Sequence, residues 1–216
     1  MSTTRDVTVP SRIGIFGGTF DPPHYGHLAA AEATRGFLDL DRMVLVVAND
    51  PWQKTGGGGL VDVPASGSSL EVSPVGIRLA MVRAAVADRP DLEVDDLEVR
   101  RGGPSYTADT VAEYAANHSD AELFVLVGSD VAPGLEGWVR SEEVRERATI
   151  VVMERPGYEG GRPPAGWDYR VVGGSFPDIA GQDLRTVAIA GGDLAGSVPP
   201  GVADLIYEYG LYGIRR

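Results

Sequence analysis

Residues 12–27 read Arg12-Ile13-Gly14-Ile15-Phe16-Gly17-Gly18-Thr19-Phe20-Asp21-Pro22-Pro23-His24-Tyr25-Gly26-His27. The apolar run Arg12 to Phe16 stops at a glycine pair, which predicts a short buried strand ending in a tight turn. His24 to about Leu38 is rich in Ala and Leu and predicts a helix. Met43 to Ala48 predicts the next buried strand. Strand, glycine turn, helix and strand make a βαβ unit, the opening of a parallel sheet.

Downstream the alternation continues. Pro74 to Ala87 predicts a helix with Ile77, Met81, Ala84 and Ala85 on one face. Leu92 to Val99 alternates apolar and acidic residues and predicts one half-buried strand or two short ones. A helix is expected over Ser105 to about Ala116, a strong strand over Leu123 to Val127, a helix over Ser141 to Arg147 and a strand over Thr149 to Met153. Tyr169 to Val172 and Thr186 to Ile189 are the last strand candidates. Pro200 to Tyr209 predicts a terminal helix with Gly210 as its C-cap signal. The expected class is a doubly wound, Rossmann-like α/β parallel sheet forming a single domain over 1–216, with a small C-terminal helical tail over 190–216. Ligands in such folds sit beyond the carboxyl ends of the strands. Residues 49–73 hold four consecutive glycines followed by a Pro/Ser/Gly stretch, and read as a flexible functional loop.

Bulk composition bounds the function. The 216 residues are 43% apolar and 23% charged, a globular balance. A net charge of −12 argues against a nucleic-acid partner, since a polyanion would be repelled. A small phosphorylated ligand in a locally positive pocket remains compatible. There are no cysteines, which excludes disulfides, thiolate metal sites and cysteine nucleophiles, and fits a cytoplasmic protein. No targeting segment and no apolar run of membrane-spanning length is present. The sequence leaves homo-oligomerisation open. Its basic residues are eighteen arginines and one lysine, Lys54.

The chemistry concentrates after the first strand. Gly17 and Gly18 allow backbone N–H groups to approach a phosphate closely. The helix opening near His24 presents free N–H groups and a partial positive charge to the same place. His24 and His27, three residues apart, share one face of the first turn and can donate to a phosphate whose charge grows in a transition state. Taken alone, the same pair also fits a metal site or a plain helix cap.

The string Gly17 to His27 resembles the signature of the nucleotidylyltransferase superfamily, whose two-histidine loop is shared with class I aminoacyl-tRNA synthetases. Its opening, Gly17-Gly18-Thr19-Phe20-Asp21-Pro22, is similar in particular to bacterial nicotinate-nucleotide adenylyltransferases. The resemblance implies attack of a pyridine mononucleotide phosphate on the α-phosphorus of ATP, with pyrophosphate leaving, magnesium assisting and no covalent enzyme intermediate. It implies that His24, His27 and Lys54 (in Pro51-Trp52-Gln53-Lys54) are catalytic, and that Gly17, Gly18, Thr19, Phe20 and Gly26 hold the nucleotide. Gly128-Ser129-Asp130 is similar to the family's Gly-x-Asp at a strand end, where Asp130 would meet a ribose hydroxyl. In Gly103-Pro104-Ser105-Tyr106-Thr107-Ala108-Asp109-Thr110, Ser105 or Thr107 would cap a helix and Thr107 would meet the pyridine carboxylate. Trp138 would stack on the pyridine, and Arg155 matches a further strand-end position. Arg78 and Met81 match too and read as structural. No residue is assigned to a protein-held metal.

The resemblance also implies a second phosphate grip near the C-terminus: a Ser-Ser-Thr segment opening a short helix, with an arginine two residues on. Matched to Ile189-Ala190-Gly191-Gly192-Asp193-Leu194-Ala195-Gly196, that grip is degenerate: hydroxyls and arginine are missing, and only Gly191 and its neighbour offer backbone N–H groups. Two alternatives follow, a silent nucleotide-binding paralogue or a transferase with another phosphate acceptor. A redox Rossmann enzyme is disfavoured because no Gly-x-Gly-x-x-Gly follows the first strand.

Overall fold

The structure, a computed structural model, describes residues 11–51, 72–155, 157–174 and 176–214. Lys54 and most of the 49–73 loop lie outside the described residues. Six strands form one sheet: β1 Arg12–Gly18, β2 Arg42–Val47, β3 Glu93–Asp95, β4 Glu122–Gly128, β5 Ala148–Met153 and β6 Tyr169–Val172. Their order is β3-β2-β1-β4-β5-β6 and every pairing is parallel. This is the doubly wound order, and it reverses direction between β1 and β4. The central strands are buried on both faces, which is why they read as continuous apolar runs rather than alternating ones.

Among the described residues seven α-helices accompany them: α1 Tyr25–Leu38, α2 Val75–Val86, α3 Leu97–Arg101, α4 Thr107–Asn117, α5 Ser141–Arg147, α6 Gly181–Ile189 and α7 Pro200–Glu208. Two core clusters mark the two faces of the sheet. In one, Leu28 and Ala31 of α1, Met81 and Val82 of α2, Leu184 and Ala188 of α6 and Val202 and Ile206 of α7 pack together. In the other, Ala108 and Val111 of α4 and Val144 of α5 pack on Ile13, Val125 and Ile150. Pro200 at the start of α7 and Gly210 (φ +59°) just beyond its end supply the expected stop and start signals.

Three expectations are corrected. Thr186 to Ile189, β-branched and strand-like locally, forms the last turn of α6. Leu184 and Ala188, four apart and both buried, show why: the i,i+4 face packing onto the sheet outweighs local strand propensity. The C-terminal helical part therefore begins at Gly181, not at residue 190. Within Leu92 to Val99 only Glu93–Asp95 pairs as a strand, because Asp95 Oδ1 accepts the Leu97 N–H at 2.9 Å and turns the chain into α3. Among the described residues no helix is long and apolar enough to cross a membrane.

Candidate active site

A cavity of about 750 Å³ lies over the carboxyl ends of β1, β4 and β5, where the strand order reverses. From β1 and its loop come Gly17, Gly18, Thr19 and Phe20; from the N-cap and first turn of α1, His24, Gly26 and His27. From the opposite face come Thr107 of α4, Trp138 and, at strand ends, Gly128, Asp130 and Arg155. Twelve of the fourteen candidate residues therefore line one space. Gly191 does not, and Lys54 lies outside the described residues.

Local chemistry explains how the loop is held. A Cβ on Gly18 would lie 2.8 Å from the Phe20 ring, so only glycine lets that ring fold back. Phe20 sits at φ +50°, a left-handed conformation, and is held there by burial and by edge contacts with Phe16 and His27. A Cβ at Gly17 would meet nothing within 4 Å, which leaves its backbone open to the cavity. Arg78 of α2, 1% exposed, donates to the carbonyls of Thr19, Ala48, Asn49 and Ser73. The residue read as structural is the brace of this loop.

His24 caps α1, and the His24 and His27 rings stack with centroids 3.6 Å apart. His27 Nδ1 accepts the His24 backbone N–H at 3.2 Å. A neutral His27 therefore carries its proton on Nε2. Burial, aided by the charge of Arg155, lowers the His24 pKa to about 4, so this imidazole is neutral near pH 7. His24 Nδ1 is buried with no hydrogen-bond partner. Gly26 packs tightly beside it, since a Cβ there would lie 3.0 Å from that nitrogen and press on the His24 ring.

Asp130 and Arg155 form a 2.9 Å ion pair in the cavity wall, and the Arg155 N–H donates to Ser129 Oγ. A Cβ on Gly128 would fall 2.2 Å from Asp130 Oδ1, so the glycine makes room for that carboxylate. The expected cap of α4 is corrected. Its N-cap is Tyr106 without a side-chain bond, and Ser105 Oγ instead accepts the Asn49 N–H at 2.8 Å. Thr107 at the first helical position lines the cavity. Glu98, 6% exposed, also lines it and accepts the Thr110 hydroxyl. Periodicity gave no sign of this buried acid.

The largest correction concerns the second phosphate grip. Gly191 (φ +73°) ends α6, and its N–H is used on the Ala188 carbonyl. The short helix that meets the cavity opens instead at Ala180-Gly181-Gln182, and Arg185 on its next turn lines the same wall. Arg185 donates to the Asp21 carbonyl at 2.7 Å and keeps Nε buried without a partner. An arginine therefore lines the cavity from α6, outside the 189–196 stretch, which has none. Ala180, Gly181 and Gln182, at the opening of this helix, carry no hydroxyl. The short helix was missed because its β-branched end disguised it.

A cytidylyltransferase-like family model matches residues 15–190. The chain belongs to this family. Within it, a probable nicotinate-nucleotide adenylyltransferase of Geobacillus thermodenitrificans is 35% identical over 206 residues, 94% of this chain and 87% of the relative. A protein of the same name from Saccharopolyspora erythraea is 34% identical over 93% of this chain and 89% of its own length. The nicotinic acid mononucleotide adenylyltransferase of Plasmodium falciparum, solved with NaAD, superposes with a TM-score of 0.75 at 16% identity. That alignment covers 95% of this chain and 98% of the other, and shows the shared fold. This family member is thus a nucleotidyltransferase of the nicotinate-nucleotide adenylyltransferase branch.

Among the described residues, no group of three or more His, Asp or Glu side chains could hold a metal ion. Asp21 accepts from Ser73 and Tyr212, and Asp130 is paired with Arg155. These residues do not make a metal cage.

Proposed function

We propose that the protein transfers AMP from ATP to nicotinate mononucleotide, releasing pyrophosphate, as a step of NAD biosynthesis in the cytoplasm. The observation that carries this is one cavity joining the stacked His24–His27 pair and the Arg185 helix on one sheet face to Thr107 and Trp138 on the other. A mononucleotide phosphate oxygen attacks the α-phosphorus of ATP. The new P–O bond forms as the bond to the bridging oxygen of the β-phosphate breaks, and that oxygen leaves with its electron pair on pyrophosphate. The chain's own part is positioning and charge stabilisation. His27 donates from Nε2, the first turns of α1 and α6 present backbone N–H groups, and Arg185 supplies fixed positive charge. Trp138 offers a half-buried face for the pyridine, and Thr107 meets its carboxylate. Magnesium, as the companion of ATP, would arrive on the triphosphate, since this ion binds mainly through substrate phosphates where few carboxylates are free.

A second reading, nucleotide binding without turnover, draws on one observation: Ala180, Gly181 and Gln182 carry no hydroxyl at the first turn of α6. Incubation with magnesium, ATP and nicotinate mononucleotide separates the two. Pyrophosphate release that disappears in His27→Ala supports transfer. ATP binding without release supports the silent form, and release only with another phosphate acceptor overturns the choice of substrate.

A further inference from the structure

Asp21 lies at the centre of the signature loop, and the transfer chemistry above gives it no task. Its side chain is buried, 6% exposed, yet every one of its oxygens is engaged. Oδ2 accepts the Ser73 N–H at 2.9 Å, and Oδ1 accepts the Tyr212 phenol at 2.6 Å. Its carbonyl accepts Arg185 Nη1 at 2.7 Å. One residue of the β1 loop is thereby tied to the entry of α2, to the C-terminal tail and to α6. The phenol is also well placed to stay a donor, since burial and the Asp21 charge push its pKa upward.

The neighbouring geometry says why such a tie is needed. Phe20, next in the chain, holds a left-handed conformation that persists only while its surroundings fix it. Arg185 reaches the cavity wall while bonded to the Asp21 backbone, so a shift of Asp21 moves the guanidinium. The two halves of the phosphate grip, the β1 loop and the first turn of α6, meet at this residue. The mononucleotide half, Thr107 and Trp138, stands on the opposite face of the sheet.

We propose that Tyr212 is a positioning residue for ATP: its hydrogen bond to Asp21 sets the β1 loop against the Arg185 helix and fixes the separation of the two halves of the phosphate grip. The inference rests on the cavity being an ATP site, as proposed above. Tyr212 acts through Asp21, and its loss is felt on one substrate only.

The test is calorimetric titration of wild type and Tyr212→Phe with a non-hydrolysable ATP analogue and, separately, with nicotinate mononucleotide. The expected result is an analogue Kd weakened about tenfold with the mononucleotide Kd unchanged. Asp21→Leu, close in size and without an acceptor oxygen, removes the Tyr212 bond together with that to Ser73, gives the same one-sided loss and stands in if the first variant is recovered unfolded. Adding Tyr212→Phe to it brings no further loss, because the bond is already gone. Unchanged analogue affinity, equal weakening for both ligands, or additive losses in the double variant overturn the proposal. Wild-type protein that binds the analogue but releases no pyrophosphate sinks the transfer reading and leaves the affinity comparison decisive. Wild-type protein that binds no analogue overturns both.

Discussion

Arg78 and Thr19 are joined by a 2.9 Å hydrogen bond from guanidinium to backbone carbonyl, although 59 positions separate them in the chain. The same side chain serves Ser73, Ala48 and Asn49. Arg78→Met removes the donor from all of these carbonyls at once. Each buried unsatisfied group costs about 1–3 kcal/mol, part of it recovered by water, so a loss of about 3–5 kcal/mol is expected. Urea unfolding measures it, and a loss below about 1 kcal/mol would falsify the bracing role.

His24 carries a pH signature. Its folded pKa of about 4 lies below the unfolded value of about 6.5. Between those values the unfolded chain takes up a proton that the folded chain refuses, so stability rises with pH. The contribution is complete above about pH 6.5 and is lost as pH falls toward 4, with an upper limit of roughly 3 kcal/mol. An NMR titration of the ring should show no midpoint above about pH 5.5. A midpoint near 6.5 would show that the ring is not desolvated.

Gly128→Ala places a methyl group 2.2 Å from Asp130 Oδ1 and 3.2 Å from Arg155 Cδ. The Asp130–Arg155 pair must then move. Turnover should fall at least about tenfold, roughly 1.4 kcal/mol of transition-state stabilisation, while the fold persists. Activity within about twofold of wild type, with an unchanged melting temperature, would show that the pair is not held for catalysis.

Trp138 is half-buried at the cavity and packs on the core cluster of its sheet face. Ring stacking on a base is worth about 1–3 kcal/mol, so Trp138→Ala should raise the KM for nicotinate mononucleotide by about tenfold or more. The KM for ATP should stay near the wild-type value. An increase confined to ATP would reverse the assignment of the two halves of the cavity.

Ala180 occupies the N-cap of α6 and offers no side-chain acceptor. Ala180→Ser supplies one. Stability should rise by about 0.5–1 kcal/mol in urea melts. ATP affinity should rise in the same variant if the first turn of α6 grips phosphate. A stabilised protein with unchanged ATP affinity would confine the serine to capping.

The part of the fold near residues 12–48 is legible because its signals are local: an apolar run, a glycine pair, then an Ala/Leu helix. The site residues on that loop and at the ends of β4 and β5 follow from the same rule, since ligands gather beyond strand ends. Arg185 was not legible. Thr186, Val187 and Ile189 favour a strand, and only packing of Leu184 and Ala188 onto the sheet makes the segment a helix. Arg78 and Asp21 read as ordinary motif members, because their partners lie far along the chain and no period or spacing announces them. Glu98 was hidden for a similar reason: its acid is stabilised by Thr110, twelve residues on.

The pairing of β1 with β4 also sets an order in time. Arg12 meets Glu122, and Ile15 meets Val125, across more than half the chain. A ribosome delivers β1, α1 and β2 long before the strand that completes the cavity floor. Until β4 emerges, the histidine loop has one wall only, and Asp21 has no partner phenol until residue 212 is made. A nascent or C-terminally clipped chain can therefore hold the sheet's first half while lacking an assembled site, and its folding rate is governed by closure of long loops rather than by local helix formation.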